Sequence, residues 1–314
     1  MLRLRQIPCL LISLLCLTGA RASLAAGGEV APLFADSTPL ALTLTGPFAR
    51  IDEERERDRE YRGSVTWDEG GQSRTLEVKF EARGHFRREV CAQVPVWLDL
   101  DKDEVDGTVF AGQNRLKLVL QCREGSTYAE YVAREHQVYR MFRLLSDVSL
   151  ESRMLRVTLR DSDTGEEREQ RALVLQHHKK LAERLDMDIV EEDRILRATL
   201  DPQQSNLVAL FMMMVANTDF SMAAGKPGEG CCHNTKPFIN GDGVVFPMPY
   251  DFDSVGYVNA NYAEVTAGLG QDDIRDRVYR GYCAHNDMME ANIDLLKQHK
   301  DALLAIAADE TYVS

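Results

Sequence analysis

Two apolar runs constrain this chain most, because both end on carboxylates. Residues 207–216 read as a buried helix and lead directly into Asn217 and Asp219. Residues 244–250 read as a buried strand and deliver Asp251 and Asp253. A carboxylate carried inward on such an element is costly unless a cation or a metal meets it. The stretch 216–256, ANTDFSMAAGKPGEGCCHNTKPFINGDGVVFPMPYDFDSVG, also supplies the polar partners Asn217, His233, Asn234 and Lys236. Two readings stay open. In one, the two ends converge on a divalent-metal site. In the other, Asp219 caps the turn after it, and Asp251 and Asp253 form a solvated turn before Gly256, since Asp and Asn favour turns in any context.

Residues 1–22 read as a signal peptide. Arg3 and Arg5 give a positive start, residues 9–17 a short apolar core, and Ala20-Arg21-Ala22 the small residues of a cleavage site, with residues 23–25 as a second candidate. The core is too short to span a bilayer, and no later stretch reaches about 18 apolar residues. The mature chain is therefore expected to be exported, periplasmic or extracellular, with no transmembrane segment. Losing 22 residues, three of them arginine and none acidic, takes the chain from 314 residues at −13 to 292 at −16. That balance argues against nucleic acid as a partner. Of seven cysteines, Cys9 and Cys16 leave with the leader. Export makes disulfides plausible among the other five. Cys91 and Cys122 both follow strand-like elements and are expected to pair. Cys283 is expected to pair with Cys231 or Cys232. Zinc is a weak reading of Cys231-Cys232-His233, because the spacing of a tetrahedral site is missing.

The first half alternates like a sheet. Residues 40–45 place Leu40, Leu42 and Leu44 on one face, and 62–67 with 75–82 form a hairpin about Gly70-Gly71. The charge run 53–60 is expected to be solvated. Arg83-Gly84-His85-Phe86-Arg87-Arg88 follows the hairpin. It suits an anion, because Gly84 lets backbone approach a ligand, but it equally suits neutralisation of an acidic chain. Val96–Leu100 and residues 114–122 are further strands. In the second of these Lys117 alternates with Leu116 and Leu118, so it either snorkels or points into a cleft.

Ser126–Leu145 is the strongest helix, with Thr127-Tyr128-Ala129-Glu130 as a capping box. Glu135 falls on or beside its apolar stripe and needs a cation; Lys117 is the nearest in sequence, so an ion pair between them is expected. Residues 154–159 and 171–176 form another hairpin about Asp163-Thr164-Gly165. His177-His178-Lys179-Lys180 opens a helix, and adjacent histidines there diverge too far to ligate one metal readily. After the site, 257–270 is irregular, 272–280 is expected to be helical, and 286–307 is the terminal helix.

The order of these features resembles a known family. A strand lysine (Lys117), a helical glutamate (Glu135), an N-x-D loop (Asn217, Asp219), His233-Asn234 and PYDFDSVG resemble the spore-coat protein H (CotH) kinase family, divergent protein kinases, and uncharacterised exported bacterial relatives. The likeness covers roughly residues 83–256 through a succession of motifs. It implies an α+β, two-lobed protein-kinase-like fold, with a strand-rich N-terminal lobe with one long helix (23–176) and a helical C-terminal lobe carrying the site (177–314). It implies ATP or another nucleotide, Mg²⁺ or Mn²⁺, and a protein or small-molecule hydroxyl acceptor. Lys117 would neutralise nucleotide phosphates with Arg83 and Arg87 beside it, and Glu135 would orient Lys117. Asp219 would accept the hydroxyl proton. Asn234 and Asp251 would hold the metal, with Asp253 as a further ligand or an acceptor behind the ligands. The family's glycine-rich loop is absent, and Arg83-Gly84-His85 stands as its substitute. Phosphoryl transfer demands positioning and charge neutralisation, which is what these residue types supply. The expected function is nucleotide- and metal-dependent phosphoryl transfer to a hydroxyl. The alternatives are a non-catalytic envelope binding or assembly protein on the same scaffold, and a metal-dependent hydrolase using Asp219, His233, Asp251 and Asp253.

Overall fold

The alternation of residues 40–45 and 75–82 becomes the inner wall of a closed barrel. The computed structural model describes residues 30–56 and 58–312, so the expected signal peptide lies outside the described residues. Strands β1 (Leu40–Gly46), β2 (Glu60–Glu69), β3 (Gln72–Ala82), β4 (Val96–Leu100), β5 (Arg115–Leu120), β6 (Ser152–Asp161) and β7 (Glu167–Leu175) run in the order β1-β2-β3-β4-β5-β7-β6. Neighbours are antiparallel except β1 and β6, which close the ring in parallel from Leu40↔Leu155 to Gly46↔Asp161. Both residues of the Gly70-Gly71 turn have positive φ, as a tight hairpin turn requires. Three short helices, α1 (Pro32–Ala35), α2 (Phe48–Glu54) and α3 (Phe86–Val90), precede or join barrel strands.

Two buried clusters divide the apolar residues. Leu44, Val65, Phe80, Leu98, Leu118 and Val157 belong to the barrel interior. On β5, Leu116, Leu118 and Leu120 point inward, while Val119 belongs to a second core outside, with Met154, Leu173 and Leu175. Strand β5 and the stretches 153–155 of β6 and 172–175 of β7 are thus buried on both faces, which explains the apolar runs at 154–155 and 172–175. Helices α4 (Ser126–Leu145), α5 (His178–Leu185) and α6 (Pro202–Met214) contribute to the outer core, as does the sheet β10-β9-β8. Its strands are β8 (Asp188–Ile189), β9 (Thr235–Ile239) and β10 (Val245–Pro249). Helices α7 (Met289–Gln298) and α8 (Lys300–Ala307) follow. No helix among the described residues is long and apolar enough to cross a membrane.

The expected two-lobed protein-kinase-like fold does not form. The β6–β7 hairpin inserts β7 against β5 and lays β6 along β1, which leaves the first sheet no open edge. The residues after 177 do not make a separate helical lobe either. They hold a three-stranded sheet, and their core continues onto the outer face of the barrel.

Local departures have local causes. Helix α4 has the expected bounds, but its N-cap is Gly125 and no side chain caps it; Glu130 pairs with Arg134 instead of closing a capping box. Helix α6 starts earlier than the apolar run, because the Asp201 carboxylate accepts the Gln204 N–H at 2.7 Å and Pro202 occupies the first turn. Residues 272–280 are not helical. The side chain of Asp276 accepts the N–H groups of Asp272 and Asp273, and Asp273 accepts that of Arg275, which diverts the backbone from a helix. The terminal helix is broken at His299.

Cys91 and Cys122 form the expected disulfide, and the Ala92 and Gln93 N–H groups both donate to the Cys122 carbonyl, at 2.9 and 3.2 Å. The second expected bridge does not form. Cys231 pairs with Cys232, and Cys283 is free and exposed. Cys231 is held by its N–H to the Glu192 carbonyl, whereas Cys283 opens a turn packed against α6.

The Cys91–Cys122 bridge spans 31 residues. Loop-closure entropy then puts its stabilisation at about 3–4 kcal/mol. Cys91→Ser should lower the unfolding free energy by roughly that amount in urea. A loss within about 0.5 kcal/mol, a small value for any site, would show that the bridge carries little.

Candidate functional site

The outward face of β5 sets the floor of a cleft. Lys117 is 8% exposed, and its Nζ lies 3.1 Å from Asp251 Oδ1. Asp251 follows β10 with φ of 64°, and its N–H donates to the Tyr139 hydroxyl at 3.0 Å. Tyr139 sits one turn beyond Glu135 on α4. The Lys117 ammonium also lies 5.4 Å from the centre of the Tyr250 ring. The sheet strand, the long helix and the exit of β10 therefore meet at one carboxylate.

The expected Lys117–Glu135 ion pair is not made. Glu135 is 2% exposed, and the cation nearest it is Arg87, with Nη1 at 3.9 Å from Oε2. Arg87 also places Nε 3.8 Å from Asp253 Oδ2 and donates to the Leu120 carbonyl at 2.6 Å. The cause lies in α3. The Cys91–Cys122 bridge ties that helix to the end of β5, which brings Arg87 over Glu135, while Asp251 occupies Lys117.

Three carboxylates thus face three cations: Glu135, Asp251 and Asp253 against Arg83, Arg87 and Lys117. Burial, then the charge of Asp253, pushes the Glu135 carboxyl up to about 8, against Arg87 and Lys117. Burial and then Asp251 also raise Asp253. Desolvation opposes ionisation of Asp251, but Lys117 and Arg83 outweigh it and hold its carboxyl at about 2. Asp251 keeps 44% of its side chain open to the cleft, so it is the ionised and reachable member of the set. Burial lowers the Lys117 ammonium, and Arg83 lowers it further.

The other wall comes from the end of α6. Ala216 takes φ of 54°, and Asn217 donates its N–H to Met212 at 2.7 Å. Asn217 Oδ1 accepts the Asp219 N–H at 2.9 Å, and Arg280 donates to the Thr218 and Phe220 carbonyls. Asp219 Oδ2 lies 2.9 Å from His233 Nε2 and 3.6 Å from Lys226 Nζ. Contact with His233 holds the Asp219 carboxyl below its ordinary value, with Lys226 adding to it against partial burial. Asn234, with φ of 49°, donates from Nδ2 to the Asp219 carbonyl at 2.6 Å. Asn217 Nδ2 is buried, has no hydrogen-bond partner among the described residues and belongs to a residue lining the cleft.

Asn234 and Asp251 line the cleft in left-handed backbone, and Ala216, also left-handed, leads the chain into it at Asn217. Such conformations cost about 1–3 kcal/mol each, least for Asn and Asp, and tend to cluster where function over-determines them. Gly256 permits the fold of this stretch: a Cβ there would stand 2.6 Å from that of Ala216 and 2.5 Å from the Ile274 carbonyl.

The cleft has a volume of about 940 Å³ and gathers Arg83, Arg87, Lys117, Glu135, Asp219, Asn234, Asp251 and Asp253. Of the two readings of residues 216–256, neither holds in full. The ends do meet in one cleft, but Asp219, Asn234 and Asp251 do not form a ready metal cage. Asp219 is engaged by His233 and Lys226 and Asp251 by Lys117, and among the described residues no trio of His, Cys, Asp and Glu is grouped to hold a metal. Sequence reading missed Tyr139, whose signal was its place one turn after Glu135. It also missed Trp97, which lines the cleft and underlies Arg83 at 5.4 Å. No protein-family model matches the chain, and no curated protein matches it.

The raised Glu135 gives a signed expectation. Its folded pKa of about 8 exceeds its unfolded value of 4.5, so its contribution favours folding at low pH and is lost as pH rises between them. Glu135→Gln should flatten that decline and melt several degrees above wild type at pH 8, with a smaller gap at pH 5. Parallel melting curves for the two proteins across this window would show Glu135 ionised at little cost.

Proposed function

We propose that the cleft transfers a phosphoryl group from a nucleotide to a hydroxyl acceptor. The observation that carries this reading is the contact of buried Lys117 with ionised Asp251 in a cleft that also holds Asp219 against His233. The reading rests on the chemistry of the site and makes no use of a kinase fold.

Phosphoryl transfer passes through a loose transition state, so catalysis is mostly positioning and charge neutralisation. Arg83 and Lys117 are the cations with room to meet phosphate oxygens. The Arg83 guanidinium lies 5.4 Å from the centre of the Trp97 ring, and its planar N–H fork suits a bidentate contact with phosphate oxygens. Arg87 is already committed to Glu135 and Asp253, and it keeps that acidic pair from repelling an incoming phosphate. Lys117 gains a stronger partner when a phosphate arrives, and its exchange from Asp251 to the phosphate releases the carboxylate.

A divalent cation would be accommodated only after Lys117 has left Asp251 for the phosphate, since Asp251 is engaged by that ammonium in the free protein. Mg²⁺ is commonly bound by one or two carboxylates, with waters and phosphate oxygens filling its other positions. Asp251, Asp253 and the side-chain oxygen of Asn234 would hold it, and when bound it would neutralise charge on the transferred group. Asp219 accepts the proton of the acceptor hydroxyl. The hydroxyl oxygen forms its bond to the terminal phosphorus as the bridging P–O bond breaks and the nucleoside diphosphate leaves. His233 and Lys226 orient Asp219, and Asn217 Nδ2 offers a hydrogen bond to an acceptor or phosphate oxygen.

Saturating Mg²⁺ and ATP should stabilise the wild type by about 2.7 kcal/mol at a hundred times Kd. Lys117→Ala should lose that stabilisation. Asp219→Asn should keep it and lose transfer to a hydroxyl by about 10²-fold or more, the usual worth of a positioned base. Stabilisation without any transferred phosphate under all acceptors tried would favour a binding protein, and no stabilisation of folded wild type would reject the reading.

A further inference from the structure

At the edge of the cleft, the end of β7 and the start of α5 gather cationic groups that the transfer reading leaves unused. His177 and His178 lie with ring centroids 4.1 Å apart, and His177 leans on Trp97 at 5.5 Å. Trp97, Lys117 and Lys236 line the cleft, so His177 borders it through its contact with Trp97, while Lys179 lies at a neighbouring hollow on α5. The charged groups facing the two imidazoles are Arg115 and Lys117 from β5, Lys179 and Lys180 from α5, and Lys236 from β9. Burial and then these cations lower His177 to about 4, and burial, His177 and the cations lower His178 to about 3.

Most of these cations are already answered. Arg115 meets Glu81 and Asp99, Lys117 meets Asp251, and Lys180 meets Glu183. Lys179 and Lys236 form no ion pair among the described residues. This is unusual in a chain whose 50 acidic residues outnumber 37 basic ones. The local geometry also fixes the tautomer of His177. His177 Nδ1 accepts the Lys179 N–H at 3.2 Å, which leaves the ring proton on Nε2. The first turn of α5 adds the positive end of a helix dipole to the same place.

We propose that His177, His178, Lys179 and Lys236 form a second anion site, which takes a phosphate group carried by the acceptor. Naming the ligand an acceptor rests on the transfer reading; the anion site itself stands on these four residues. A phosphate suits it better than a carboxylate, because two free lysines match a dianion and an imidazole that gains a proton adds a third donor. The acceptor class is then a phosphorylated hydroxyl compound, anchored by its existing phosphate beside the cleft where its hydroxyl reacts.

The test needs neither nucleotide nor metal. Inorganic phosphate is titrated into the full protein, and the imidazole resonances of His177 and His178 are followed by NMR. Both rings should shift on saturation and titrate at higher pH with phosphate present. The Lys179→Ala/Lys236→Ala variant should weaken phosphate binding read at these rings at least tenfold, and His178→Asn should weaken it with the fold unchanged by circular dichroism. The variant should still be stabilised by Mg²⁺ and ATP, which separates failure of this site from failure of the transfer reading. Rings that ignore phosphate, equal affinity in the lysine variant, or an equal response to acetate at the same concentration would each overturn the second site. Loss of nucleotide stabilisation in the lysine variant would instead assign Lys236 to the nucleotide and overturn the acceptor assignment.

Discussion

The contact between Lys117 and Asp251 joins the two halves of this molecule. Lys117 is carried on a barrel strand whose inward neighbours, Leu116 and Leu118, fix which way it points. A slip of one residue would send the ammonium into an apolar barrel. Asp251 arrives from β10 in left-handed backbone, held by Tyr139 on α4. A buried ammonium without that carboxylate would be severely penalised. The pair thus couples barrel register, helix position and strand exit, and the cleft exists because all three are satisfied together.

Around that contact the charges are arranged unequally. Asp251 is held ionised and open to the cleft, whereas Glu135 and Asp253 are pushed toward protonation by burial and mutual repulsion. Arg87 moderates the second pair, and it can do so because a disulfide fixes α3 to the end of β5. A covalent tie between two barrel connections is therefore also a control on the electrostatics of the cleft. On the opposite wall, Asn217, Thr218 and Phe220 are braced through their own backbone and Arg280, so Asp219 is presented from a rigid turn.

Much of this was legible in the sequence wherever periodicity was the signal. The barrel strands, both hairpins and the bounds of α4 follow from alternation, helical spacing and turn residues, and the Cys91–Cys122 bridge from two cysteines that each follow a strand; β8 and β9 were not read. The residues gathered in the cleft were marked by being polar at the ends of apolar runs. Three things were not legible. Closure of the barrel depends on β6 finding β1, a parallel pairing between strands more than a hundred residues apart that no local pattern specifies. The partner of Lys117 was misjudged because sequence nearness favoured Glu135, while the fold brings Asp251 from 134 residues away. The order of motifs likewise suggested a kinase architecture, although a succession of site residues does not determine the sheet that carries them.

The central claim is that Lys117 serves as an exchangeable cation: paired with Asp251 in the free protein and with a phosphate when the cleft is filled. A crystal structure of wild type with Mg²⁺ and a non-hydrolysable ATP analogue tests it most directly. The account expects the Lys117 ammonium on a phosphate oxygen, Asp251 turned toward the metal, and Arg83 on the phosphates above Trp97. Nucleotide bound elsewhere, or bound in the cleft with the Lys117–Asp251 contact intact and no cation on its phosphates, would contradict it.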